Sequence, residues 1–153
     1  MQDDSQNNGM ERRMVHRLLM HWRSAQDGDS IPVFSDVLGR DLGDIYPSIY
    51  MLEIDDENDQ PSFERIGGAF AEEGTASLVG HPVSETPENT VLGQAVKYYR
   101  RVQDKQIPIT IGGEFEHANG DVILYRSIIM PARGGDDDDH YLIGAANYKV
   151  KDA

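Results

Sequence analysis

Five histidines, His16, His21, His81, His117 and His140, are the side chains best suited to metal binding or to proton transfer near neutral pH. His16 and His21 stand five apart, not the four that puts two ligands on one helical face, and no Glu lies between them as a zinc-protease helix requires. His81, between Gly80 and Pro82, has the freedom to face a cavity or an iron, although a lone loop histidine reads first as a surface or hydrogen-bonded residue. His140 follows the acidic run Asp136 to Asp139, which lacks the alternating ligands, glycine and distal Glu of a calcium loop. That run and the one from Asp55 to Asp59 read as solvated hairpin loops that discourage sheet-to-sheet association. Neither a metal site nor haem is expected.

Acid–base work by paired carboxylates is the next chemistry to weigh. Glu53, Glu64, Glu114 and Glu116 fall in strand-like runs. Glu114 and Glu116 lie on the polar side of an alternating pattern, and Glu53 and Glu64 have no sequence neighbour that marks an acid/base pair. No nucleophile elbow is present, and Gly67-Gly68, Gly112-Gly113 and Gly134-Gly135 belong to no phosphate-binding loop. Without cysteine the chain can form neither a thiolate nucleophile, nor a disulfide, nor a cysteinyl–flavin adduct. No catalytic residue is assigned, and the chain is expected not to be an enzyme.

A ligand cavity remains, and Phe63, Ile66, Phe70, Tyr99, Leu124 and Tyr125, with His81, are the candidates to line it. The same spacings suit a plain core. The alternative reading of the chain is therefore a small α+β cone that binds a ligand or works as an isomerase-like enzyme.

The elements that must position these residues begin with a helix. Met10, Met14, Val15, Leu18, Leu19, Trp22 and Ala25 recur at three- and four-residue intervals, with the arginines largely off that face, and the pattern runs out at Asp27-Gly28. A short turn or helix fits Ser35 to Leu42. Ile49 to Ile54 reads as a largely buried strand with Phe63 to Gly68 as its hairpin partner, and Ala69 to Glu73 as a short helix stopped near Gly74. Thr86-Pro87-Glu88 has the composition of an N-cap and first turn, so one long helix is expected from there to Asp104. Ile109 to Glu116 alternates as a half-buried strand, Asn119-Gly120 predicts a tight hairpin with positive φ at both residues, and Val122 to Met130 and Tyr141 to Val150 complete the strands.

The 153 residues fit one domain: residues 1–9 a disordered tail, 10–27 an amphipathic helix and 28–150 the body. A formal charge of −13 argues against a nucleic-acid partner. Residues 1–23 nevertheless carry Arg12, Arg13, Arg17 and Arg23 against three acids, a local net of +1 on an otherwise acidic chain. No signal-peptide pattern or apolar run long enough to span a bilayer is present, so a cytoplasmic location is expected.

The order of local phrases resembles the bacterial PAS domains, and specifically the single-domain alphaproteobacterial subgroup whose first helix bears a tryptophan, here Leu18-Leu19-Met20-His21-Trp22-Arg23. The matching segments are Ile31-Pro32, Asp44-Ile45-Tyr46-Pro47, Phe63 to Gly67, Val79-Gly80-His81-Pro82-Val83 and Ile128-Ile129-Met130-Pro131, within residues 14–150. The resemblance implies an α+β fold: a five-stranded antiparallel sheet with short helices and one long helix on one face, plus the N-terminal amphipathic helix. It implies a non-enzymatic sensory protein acting in trans, through a partner such as a histidine kinase or as a homodimer, with Met14, Leu18, Leu19 and Trp22 as the interaction helix. A small-molecule ligand is compatible with it, and the cofactor is left unassigned.

Overall fold

The structure, a computed structural model, describes residues 2–39, 42–57, 60–135 and 139–151, with backbone alone for 2–12. Asn58, Asp59 and Asp136–Asp138 of the two acidic loops, and the side chain of Met10, lie outside the described residues.

Five strands form one antiparallel sheet: β1 (Ile49–Ile54), β2 (Ser62–Ile66), β3 (Ile109–Glu116), β4 (Val122–Arg133) and β5 (His140–Val150), in the order β2-β1-β5-β4-β3. The α-helices are α1 (Gln2–Ala25), α2 (Phe34–Leu38), α3 (Val91–Val96) and α4 (Tyr99–Lys105), with 3-10 turns at Gly43–Ser48, Gly68–Glu73, Thr75–Leu78 and Val83–Glu85. Residues 2–9, whose composition reads as a disordered tail, continue α1. Extending an existing helix adds one hydrogen bond per residue fixed, without the cost of a new nucleus.

Both faces of the sheet are covered. Tyr50, Leu52, Phe63, Ile123, Tyr125, Ile129 and Leu142 form an inner core with Phe70, Val83, α3 and Val102 of α4. On the outer face, Ile49, Met51, Ile128, Met130, Ile143 and Ala145 pack under Met14, Leu18 and Trp22 of α1 and Val37 and Leu38 of α2. This double cover is why Ile49-Tyr50-Met51-Leu52 is buried without alternation.

Other details also depart from the sequence expectation. The single long helix is two: α3 and α4 are separated at Lys97-Tyr98, where Tyr98 leaves helical geometry at φ −104°, ψ 18°. Val91, Leu92, Ala95 and Val96 before the break, and Val102 after it, still join the inner core. The N-cap is Thr90, not Thr86: Thr90 Oγ1 accepts from Gly93 N at 3.0 Å and donates to Pro87 O at 2.7 Å. The hairpin after β3 is wider than a two-residue turn. His117 N donates to Asp121 O and Gly120 N to His117 O, only Gly120 has positive φ (91°), and Asn119 Oδ1 accepts from Asp121 N.

β4 also runs past Met130 to Arg133. Its pairing with β3 ends at Ile109↔Ile129, so beyond that point β4 is an edge, where proline is tolerated. The Pro131 carbonyl accepts from the Trp22 indole Nε1 at 2.7 Å, and Arg133 N donates to Pro32 O at 2.9 Å.

Candidate functional site

The inner face gathers part of the expected cavity lining and fills it. Phe63, Phe70 and Tyr125 are buried in the inner core, with Ile66 and Tyr99 partly buried against it. Leu124 is not among them. It alternates with Ile123 and Tyr125 along β4 and so lies on the outer side, between Glu114 of β3 and Lys149 of β5, because adjacent strand residues cannot face the same way. His81 is exposed, with Nδ1 3.3 Å from Glu85 Oε1; its backbone carbonyl accepts from Phe63 N and closes the free edge of β2.

Tyr50, which no sequence motif marked, occupies the middle of this face. It pairs with Gly144 across β1 and β5, its ring lies over that glycine, and Phe70 meets it edge-on with ring centroids 6.1 Å apart. Its hydroxyl is fully buried with no hydrogen-bond partner among the described residues, and burial pushes its pKa strongly upward. Removing that oxygen while keeping the ring relieves a desolvated polar group. Tyr50→Phe is thus expected to leave stability unchanged or raise it by up to about 1–2 kcal/mol in denaturant melts, and a clear loss would reveal a partner for the hydroxyl.

A polar clamp closes one rim of the inner core. Glu73, its side chain only 7% exposed, accepts from Val91 N at 2.9 and 3.0 Å through its two oxygens, and its Oε2 lies 2.6 Å from His117 Nε2. Beside it the Tyr148 hydroxyl donates to Glu72 at 3.0 Å, and burial, then that carboxylate, pushes the Tyr148 pKa up to about 12. The ring of His117 stands edge-on to both Phe115 and Tyr148. The clamp ties the 68–73 turn, the start of α3, the β3–β4 hairpin and β5 together around a groove of about 350 Å³. Two carboxylates and an imidazole there can hold a polar ligand by hydrogen bonds. Sequence reasoning missed the pair because 44 residues separate Glu73 from His117.

On the outer face, the residues expected to form an interaction helix are spent on the chain's own sheet. Met14, Leu18 and Trp22 are 5%, 0% and 4% exposed, so they are not available to a partner. Leu19 is half-buried and, with Val15 and His16, lines a groove of about 230 Å³ against Gly112 and Arg126. The opposite flank of α1 carries Arg13 and Arg17 over a groove of about 220 Å³ with Ser48 and Asn147, and Arg17 Nη1 binds Asp44 at 2.9 Å. That bond from Arg17 holds the Asp44 carboxyl below its ordinary value. Arg13, His16, Arg17, Met20 and Arg23 stay exposed.

Glu53 and Glu64, which sequence left unpaired, meet across β1 and β2. A hydrogen bond with Glu64, then burial and the carboxylates of Glu64, Asp55 and Asp139, raises the Glu53 pKa. An acid with a raised folded pKa favours folding while protonated, and this contribution is lost as pH rises through the raised value. Glu53→Gln is therefore expected to raise Tm at neutral pH and to have no effect below the carboxylate range. Equal shifts at both pH values would contradict the pairing.

Among the described residues no three His, Asp or Glu side chains converge as metal ligands, and no helix is long and apolar enough to cross a membrane. No protein-family model matches the sequence, and no curated protein matches it. Solved structures do. The dark structure of the blue-light photoreceptor Aureochrome1 LOV is similar at 12% identity over 81% of this chain and 86% of that one, with a TM-score of 0.50. A fungal LOV domain photoreceptor aligns at 14% identity over 88% and 91% of the two chains, TM-score 0.49. The LOV domain of a blue-light activated histidine kinase from Erythrobacter litoralis aligns at 15% identity over 68% and 96%, TM-score 0.47. The likeness is one of fold, and the fold is PAS-type, α+β.

Proposed function

We propose that this chain is a non-enzymatic regulatory protein of bacterial signal transduction, of the single-domain alphaproteobacterial PAS kind its sequence resembles. It acts in trans in the cytoplasm, by docking to a signalling protein such as a histidine kinase or by pairing as a homodimer. The observation that carries this reading is the division of α1 into two faces. Met14, Leu18 and Trp22 hold it on the sheet, while Arg13, His16, Arg17 and Arg23 stand outside on a chain whose net charge is −13. A basic strip on an acidic protein steers an acidic partner surface toward itself and repels it elsewhere. The docking surface is accordingly the exposed side of α1, and Trp22 acts as its anchor and not as a contact.

The test captures partners on wild-type chain and on Arg13→Glu/Arg17→Glu side by side, with sedimentation velocity on both. Wild type is expected to retain a histidine kinase or to dimerise, and the variant to lose that association at unchanged Tm. Identical partners and identical mass for both chains would overturn the reading.

A further inference from the structure

We propose that the groove between the 83–86 turn and the α3–α4 junction binds a small organic anion with an apolar or aromatic body. The groove has a volume of about 340 Å³, within the range of small-molecule sites; no strand residue lines it, and it opens at the margin of the inner core, with which it shares Val83 and Val96. Three observations converge there.

The first is a buried hydroxyl without a partner. Thr86 is 8% exposed and lines the groove, and its Oγ1 makes no hydrogen bond among the described residues. A desolvated hydroxyl left unpaired is costly, and a ligand oxygen in the groove would satisfy it. The second is charge. Lys97 and Arg100 both line the groove, and neither makes an ion pair among the described residues of a chain with 27 acidic residues. Glu88 also lines it, but comes from the loop before the first turn of α3, whereas Lys97 and Arg100 come from beyond its last. An anionic head is thus placed at the Lys97/Arg100 end. The third is the break between α3 and α4 itself. It puts Val96, Lys97, Tyr99 and Arg100 around one groove, with the Arg100 guanidinium 5.5 Å from the centroid of the Tyr99 ring. Val83, Val96 and the Tyr99 ring supply the apolar surface, and Gln60 lies at the margin, its Oε1 accepting from Ser84 N at 2.7 Å.

Carboxylate and phosphate share the recognition chemistry, charge-assisted hydrogen bonds from ammonium and guanidinium. The proposal is independent of the docking surface on α1.

The test titrates the full chain with anilinonaphthalene sulfonate, a fluorescent aromatic sulfonate. One saturable site is expected, weakened about tenfold or more by Lys97→Gln/Arg100→Gln through loss of the charged contacts. Thr86→Val should weaken it several-fold at an unchanged or raised Tm, because the hydroxyl has no partner among the described residues to lose, a separation that a merely structural threonine would not show. Arg13→Gln/Arg17→Gln, which alters the α1 surface, should leave the titration unchanged. Benzoate and phenyl phosphate then serve as displacers, and the stronger of the two identifies the head group. Equal affinity for wild type and Lys97→Gln/Arg100→Gln, or displacement by neither compound, would overturn the proposal.

Discussion

Gly144→Ala is expected to destabilise the chain by about 3 kcal/mol, the upper end of what overpacking a core usually costs. A Cβ at this position would overlap the ring and hydroxyl of Tyr50, which lies across the glycine from the paired strand. The ring cannot step aside, because it is 0% exposed and Phe70 stands edge-on against it. For a chain of this length each kcal/mol moves Tm by roughly 2–4 °C, so thermal melts should show a drop of order 10 °C. Tyr50→Leu, which frees the space, should make the same glycine substitution much less harmful, and a double-mutant cycle would read that coupling. Additive losses in the cycle would show that the ring and the glycine do not share one space.

Trp22→Ala carries the other large effect, on the order of 3–5 kcal/mol for emptying a buried aromatic site. Two separable contributions make it up. The indole fills the outer core beside Met130, Ala132 and Ile143, and its N–H satisfies the carbonyl of Pro131 at 2.7 Å, at a point where β3 no longer reaches β4. Trp22→Phe keeps most of the first and removes the second, so it should cost about 1–3 kcal/mol. Urea melts of both variants check this, and a Phe variant as unstable as the Ala variant would place all of the effect in the hydrogen bond.

The strands were legible because local pattern sets them. β1 begins and ends as the apolar run predicts, and β3 follows its alternation from Ile109 to Glu116. The apolar stripe of α1 was equally legible, but a stripe does not say which surface covers it, and the cis seat of Trp22 depends on a carbonyl 109 residues away. Register-dependent facts were hidden for the same reason: Tyr50 over Gly144, Glu53 against Glu64 and Glu73 against His117 are pairings between distant segments. Leu124 was misplaced by composition, since an apolar residue beside Tyr125 must face the opposite side of β4. The helix break at Lys97-Tyr98 left no glycine or proline signal, as the apolar spacing of Val91 to Val102 continues through it.

The central claim is that α1 is seated on its own sheet, leaving its basic side free for partners. Trp22 is the only tryptophan of the chain, so its emission reports that seat directly. Fluorescence and acrylamide quenching across a dilution series that passes from dimer to monomer are the decisive measurement, with sedimentation recording the state of association. A cis-seated arm predicts blue-shifted, shielded emission at every concentration. Emission that shifts to the red and becomes quenchable as the chain dissociates would show that Trp22 is covered by a second molecule, and would contradict the account.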